Sequence, residues 1–572
     1  MNFAEYYNES RASMSVFCSF EREFSLILER LFPPGVLKQR VDSSQVVFEF
    51  PRNDKHGDLS SNAAMVLADE LDLKPHDLAK TLARELKSLE GVEEVKIAGP
   101  GFLNLKLFPL VWQKEVIKIL KDGENFGKNN IGSGAPINVE FVSANPTGPL
   151  HAAHARGAVF GDVLSNLLEF CGWVVTREYY VNDAGKQVDL LARSTYLRYC
   201  EALGKDIGAI PAGLYPGAYL KEIGSKLAQE VGSRYLDTSE ENWLEKVRTF
   251  AIRHIMAGIK DDLNLLGIKM DLFSSEKQLV LSGAVEHAIE SLDKQGFLYQ
   301  GTLDPPKGKE PEDWEPREQL LFRATDFGDD TDRPLKKSDG SWTYFATDVA
   351  YHLNKLERTN GKLINIFGAD HGGYIKRMKA ATVALSGDKA ALDIKICQLV
   401  HLLDKGQPVK MSKRAGTFVT LEDVIKAVGS DVIRFIMLTR RNDQTLDFDF
   451  AKVMEQSRDN PVFYVQYAHA RISSILRQFD NDGNAIKEGK NLELLTNSHE
   501  IKLIKTLASW PKMVKTAGKT HEPHRLAFFL TDLAAIFHSL WNAGRENQEL
   551  RFLIPENPQV TNARMQMLKA AS

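Results

Sequence analysis

Apolar positions alternate with polar or small ones at Ile137, Val139 and Phe141, the two-residue period of a strand. They then recur at helical spacing at Val159, Phe160, Val163, Leu164, Leu167, Phe170 and Cys171, and Gly172 stops the helix. The β-branched and aromatic run Trp173–Val181 predicts a second strand, so this stretch reads as strand, tight loop, helix and strand, a βαβ unit. Upstream, the pattern predicts a helix over Phe17–Phe32, a strand over Gln45–Phe50 and a broadly helical stretch over Leu59–Leu86 around Leu73-Lys74-Pro75. Two short strands across Gly99-Pro100-Gly101 complete a small α+β domain. Downstream, Asp183 to about Leu320 reads as mostly helical, with a charged, proline-rich loop at Leu303–Pro316. An apolar strand at Leu363–Phe367, a helix to about Leu385 and a strand at Ile394–Leu403 predict a second α/β unit. Thr420-Leu421-Glu422-Asp423 has capping-box spacing and opens a helix that Gly429 ends, after which the pattern is helical to the C-terminus.

A chain of 572 residues holds about three or four domains. Its 43% hydrophobic and 26% charged residues are those of an ordinary soluble protein with large cores. Cys18, Cys171, Cys200 and Cys397 show no Cys-x-x-Cys spacing, which argues against a disulfide framework or a zinc knuckle and fits a reducing compartment. The N-terminus lacks a basic, then apolar leader and no run approaches the length of a membrane span, so a cytoplasmic protein without a membrane partner is expected. The net charge of −4 excludes a generic nucleic-acid binder, but from Gln456 to Ser572 fifteen Lys and Arg face eleven Asp and Glu, a bias of +4. Such a weak bias suits a partner held at a few phosphates.

The chemistry concentrates in two places. Asn145-Pro146-Thr147-Gly148-Pro149-Leu150-His151-Ala152-Ala153-His154 sets two imidazoles at a helix N-terminus, where free N–H groups and the helix dipole favour an anion. A metal is less well supported, because no Cys is near and the closest carboxylates are Glu140 and Asp162. Far downstream, Pro408-Val409-Lys410-Met411-Ser412-Lys413-Arg414-Ala415-Gly416 makes a cationic clamp for a polyphosphate. Taken singly, the first motif reads as a helix cap and the second as a surface turn. In this order and about a domain apart, they resemble the two signatures of class I aminoacyl-tRNA synthetases, and Phe141 to His151 is similar in detail to the arginyl-tRNA synthetase family.

That resemblance implies an α/β fold with a Rossmann-type catalytic domain at 116–455, interrupted by a helical insertion at about 185–330. It also implies an N-terminal α+β domain at 1–115, in which His56–Ala64 approaches the tRNA elbow, and an all-helical anticodon-binding domain at 456–572. The reaction implied is activation of L-arginine by ATP with Mg2+, then transfer to tRNA(Arg), by a monomer. His151, His154, Lys410 and Lys413 would be catalytic; Pro146, Gly148, His151, His154, Met411, Ser412 and Lys413 would hold ATP. Ser143, Asn145, Tyr344, Asp348 and His371 would hold arginine, with Glu178 and Asp183 as further carboxylates, and Tyr464, Tyr467 and Arg471 would meet tRNA. No residue is matched to a metal.

Two departures mark this chain. The family's first signature has glycine before its second histidine, where Ala153 adds a methyl beside the adenine, and the chain stops at Ala570-Ala571-Ser572 where the family continues to a Glu-Arg-Met. A small-molecule nucleotidyltransferase and a catalytically impaired tRNA-binding paralogue are the competing readings. The first has no use for the long helical C-terminal region, and the second has little reason to keep Lys410, Ser412 and Lys413 together.

Overall fold

The computed structural model describes residues 15–32, 45–51, 53–303, 317–389, 391–409, 419–457 and 459–572. Two compact units emerge, one of Asn130–Val462 with His521–Ala527, the other of Met1–Asn129, Phe463–Thr520 and Phe528–Ser572.

The first unit is built on a five-stranded parallel sheet of β1 (Pro136–Glu140), β2 (Val174–Val181), β3 (Leu272–Ser275), β4 (Lys362–Gly368) and β5 (Leu392–Cys397). Its spatial order is β5-β4-β1-β2-β3, so the chain reverses direction across the sheet between β1 and β4. Helix α1 (His154–Phe170) completes the expected βαβ unit, and α2 (Glu276–Leu281), α3 (Tyr344–Thr359) and α4 (Ile375–Ser386) follow. Both faces of β1 are covered: Ile137 and Val139 lie in the apolar core, while the alternate residues Asn138 and Glu140 are also buried. The Asn138 amide donates to Glu178 of β2, and Glu140 accepts from Lys355 of α3.

Three departures from the sequence pattern occur in this unit. The strand expected over Ile394–Leu403 divides, because the Gln398 N–H turns to the Asn442 carbonyl and Val400–Asp404 joins a second sheet, parallel to Leu446–Asp449. Leu446–Asp449 is itself a strand inside a region that reads as helical, stabilised by that long-range pairing. The stretch 183–320 also contains β3 and the strands Leu298–Gly301 and Gln319–Phe322, too short to show a period. Most of the loop at Leu303–Pro316, from residue 304 onward, lies outside the described residues.

In the other unit, a four-stranded antiparallel sheet (Phe48–Glu49, Leu59–Ser61, Phe102–Leu107, Val92–Ala98, in spatial order) is flanked by Val16–Leu31, Ala63–Leu71 and Pro75–Lys87. Leu59–Ser61 is thus a strand where the sequence reads as helical. Leu82, Leu105 and Trp112 share one core with Ile472, Leu503, Phe537 and Met565, so the first and last segments of the chain bury each other's apolar faces. Asp58, in the His56–Ala64 motif, accepts the Leu107 N–H at 2.6 Å and pairs with Lys505. Among the described residues one helix, His524–Glu546, is apolar and long enough to cross a membrane by length and composition, contrary to expectation, but its Phe537 and Leu540 lie in that core. The final helix, Pro558–Ala571, is buried from Thr561 to Leu568.

Candidate active site

Ligands of doubly wound sheets bind outside the carboxyl ends of the strands, where the strand order reverses. In this unit those ends line a cavity of about 690 Å³. Ser143 and Asn145 follow β1, Asn182 follows β2, Glu276 follows β3 and Asp370 follows β4, while α3 contributes Tyr344, Asp348, Tyr351 and His352. A volume of this size suits a small organic ligand.

The loop after β1 is held in an unusual shape. Val142 and Ser143 have φ of 68° and 38°, a region that costs non-glycine residues roughly 1–3 kcal/mol each. Several contacts offset that strain. Phe141 nests against α1 at Gly161, where a Cβ would come within 2.2 Å of its ring. The Tyr179 hydroxyl donates to the Ala144 carbonyl at 2.8 Å, and Ser143 Oγ accepts the Tyr180 N–H at 3.0 Å while donating to Glu140 Oε1 at 3.1 Å. Asn145 donates to Gln187 at 3.0 Å. Pro146 is buried, and Gly148 lies under Tyr219, whose hydroxyl donates to the Thr147 carbonyl at 2.6 Å.

Helix α1 begins at His154, so His151 stands in the turn before it rather than on its first turn as the spacing suggests. The rings still meet, stacked with centroids 3.8 Å apart, and His154 Nδ1 accepts the His151 N–H at 3.2 Å. Ala153 has φ −67° and ψ −25°, ordinary helical values, so its methyl brings no backbone strain.

The end of the cavity formed by α3 and the start of α2 is acidic. Four of its neighbouring carboxylates divide into two classes. Glu140 pairs with Lys355 at 2.7 Å and Glu178 with Arg358 at 2.8 Å, both cations supplied by α3. Asp348 and Glu276 form no ion pair among the described residues. Among the described residues Asp348 takes the Tyr374 hydroxyl, and desolvation, followed by the charges of Glu276 and Glu140, holds its carboxyl well above the usual range against a smaller opposing influence of Arg377. Burial, with Asp183 nearby, pushes Glu276 up to about 7. Asp183 is itself engaged by Ser275 at 2.6 Å and the Lys277 N–H at 2.9 Å, and Glu178 also by Asn138 and Ser274. The two reserve carboxylates named from sequence are therefore occupied.

His352 lies beneath this end. It accepts from the Asn365 amide at Nε2 (2.8 Å) and donates from Nδ1 to the Asp348 carbonyl (2.8 Å), a neutral tautomer, and burial lowers its pKa to about 3. Tyr344, 62% exposed, stands at the rim with Lys337 5.3 Å from its ring centre. Such a site can accept a planar cation with several donors at one end and an anion at the other.

Sequence reasoning missed Glu276, Tyr351, His352 and Lys355. The last three repeat at i+7, i+8 and i+11 from Tyr344, so the periodicity that points to Tyr344 and Asp348 could have found them. Glu276 carries no such signal, because only the pairing of β3 with β2 brings it here.

Lys410, Met411, Ser412 and Lys413 lie outside the described residues, as does the side chain of His371, whose backbone is in the turn Ala369–Tyr374. The lysine loop's flank is informative: beyond it the Val419 carbonyl accepts the Ala152 N–H at 3.3 Å, and the Leu421 N–H donates to Leu150 at 2.9 Å. Thr420 forms the expected capping box with Asp423. The segment that follows the second motif is thus bonded directly to the first. In the other unit, Tyr464 is packed against His538, whereas Tyr467 is 42% exposed and stacked on Phe463 at 5.5 Å. The Arg471 guanidinium lies 4.1 Å from the Tyr467 ring centre and 4.6 Å from that of Trp541. No group of three or more His, Cys, Asp or Glu among the described residues is gathered for a metal ion.

Comparison with known proteins bears on these sites. The family model of the catalytic domain of class I (R) tRNA synthetases matches residues 115–472, that of the arginyl-tRNA synthetase N-terminal domain residues 20–107, and that of the DALR anticodon-binding domain residues 465–572. The arginine–tRNA ligase of Roseobacter denitrificans is 52% identical over 98% of this chain and 97% of its own. That of Ruegeria pomeroyi is 54% identical over 95% of this chain and 94% of its own. The solved arginyl-tRNA synthetase of Thermus thermophilus, 20% identical, has the same fold, with a TM-score of 0.72 over 97% of each chain.

Proposed function

Because the chain belongs to the class I arginyl-tRNA synthetases, we propose that it activates L-arginine with ATP and passes the arginyl group to tRNA(Arg), with the amino acid seated in the β1–β4 cavity. One observation carries the placement: neither Asp348 nor Glu276 forms an ion pair among the described residues, and both line the cavity that His154 also lines. A guanidinium satisfies both carboxylates, and its reach along the cavity points the arginine carboxylate toward the helix N-terminus.

A carboxylate oxygen of arginine attacks the α-phosphorus of ATP, the bond to the β-phosphate breaks, and pyrophosphate leaves; Mg2+ carried by the nucleotide would neutralise part of the polyphosphate charge. A terminal ribose hydroxyl of the tRNA then attacks the adenylate carbonyl, giving up its proton, and AMP leaves. No protein nucleophile is needed. The protein aligns the reactants and stabilises phosphate charge, with His151 and His154 at the α1 terminus and Lys410, Ser412 and Lys413 from the loop. ATP–pyrophosphate exchange tests the reading: it should require arginine, should not proceed with lysine, and should be followed by charging of tRNA(Arg). Exchange that is indifferent to the amino acid would overturn it.

The pair of uncompensated carboxyls makes arginine binding pH-dependent. In the free protein Glu276 titrates at about 7, and a bound guanidinium favours its ionised form. Binding below that value therefore releases a proton, so arginine affinity should rise with pH toward 7 and level off above it, by up to about tenfold per unit for one proton. Titration calorimetry in buffers of different ionisation enthalpy reads the released proton directly; no release at pH 6 contradicts the assignment.

Residues 1–115 are assigned to the tRNA elbow and 456–572 to the anticodon, within a cytoplasmic monomer that has no membrane partner. The exposed Tyr467, backed by Arg471 and Phe463, offers a base-stacking surface. Tyr467→Ala should weaken tRNA binding by about 1–3 kcal/mol while leaving the KM for ATP unchanged. Unchanged tRNA affinity in a filter-binding assay would remove this residue from the interface.

A further inference from the structure

Lys355 has no contact with solvent, yet it is a cation at the centre of the sheet's carboxyl end. Its ammonium donates to Glu140 Oε2 and to Asn365 Oδ1, each at 2.7 Å, and lies 4.9 Å from the centre of the Tyr351 ring. Burying an ammonium and a carboxylate together brings little net stability, because both lose their hydration. The pair's position suggests another use. The second oxygen of Glu140 faces Ser143 and takes its hydroxyl proton.

A serine hydroxyl has one proton and two lone pairs. In Ser143 the proton is committed to Glu140 and one lone pair to the Tyr180 N–H. What remains toward the cavity is a single acceptor. It can receive a hydrogen from a ligand's ammonium and can donate none. This polarity depends on Glu140 remaining an acceptor, and the Lys355 ammonium is the only cation paired with it among the described residues. The same contacts hold Ser143 at its positive φ.

We propose that Lys355 is a positioning residue for the amino acid: through Glu140 it orients Ser143, so that the cavity accepts the substrate's α-ammonium at a fixed point beside the first motif. This rests on the placement of arginine in the cavity argued above. Lys355 touches no substrate; it acts two hydrogen bonds away.

Lys355→Met removes the charge and keeps the length of the side chain. Glu140 then loses the ammonium that fixes its Oε2, its carboxylate is free to turn away from Ser143, and the serine hydroxyl is no longer held as an acceptor toward the cavity. The expected result is a rise in the KM for arginine of roughly tenfold to a hundredfold, the scale of a small misplacement of a reacting group, with the KM for ATP unchanged. Lys355→Gln, which keeps a neutral donor in place, serves if the methionine variant does not fold. The discriminating measurement is the double variant with Ser143→Ala. If Lys355 works through Ser143, the pair should raise the arginine KM no further than Ser143→Ala alone; additive effects, or equal rises in the KM values of arginine and ATP, would mean a general structural role and overturn the proposal. Loss of the effect in Ser143→Ala itself would instead overturn the placement of arginine in this cavity.

Discussion

Asp348→Asn should raise the KM for arginine roughly thirtyfold to several thousandfold and leave that for ATP nearly unchanged, as expected for about 2–5 kcal/mol when one partner of a desolvated charge pair is lost. The reason lies in direction as well as charge. A carboxylate accepts two parallel N–H groups of a guanidinium, whereas an amide offers one oxygen and turns an N–H toward the cation. The substitution is isosteric, and the Tyr374 hydroxyl can still donate to the remaining oxygen, so the cavity wall should survive. Glu276 would then hold the guanidinium alone. Lysine should gain little, since its ammonium is a point charge that uses one carboxylate as well as two. Steady-state exchange kinetics with each amino acid check this; an unchanged arginine KM would shift recognition to Glu276.

Lys413→Ala should slow adenylate formation by a barrier of about 2–4 kcal/mol, the typical loss when one group that stabilises transition-state charge is removed. The loop leaves the described chain at Val409, whose N–H donates to Leu402 at 2.9 Å, and returns at Val419, bonded to Ala152 between the two histidines. The contribution of Lys413 is largest when pyrophosphate is leaving, so single-turnover activation should fall while tRNA affinity stays the same. A rate unchanged in single-turnover quench experiments would leave the loop as a surface turn.

The sequence by itself determined the local parts of this protein. Alternation at Ile137–Phe141, helical spacing from Val159, the stop at Gly172 and the capping box at Thr420 are near-neighbour properties, and each appears where the pattern puts it. The same holds for Tyr344 and Asp348, one helical turn apart on α3. Tertiary structure alone decided which carboxylates are left uncompensated. Before folding, Glu140, Glu178, Asp183, Glu276 and Asp348 are equivalent acids. Glu140 finds its cation 215 positions away and Glu178 finds its own 180 away, whereas Asp183 is taken up by the segment that follows β3. Strand order decided the rest: it brings Glu276 beside Asp348 and divides the apolar run Ile394–Leu403 between β5 and a second sheet. Periodicity reports which side of an element is buried. The charge of a site depends on which partners fill that burial, and those are chosen by contacts between segments far apart in the chain.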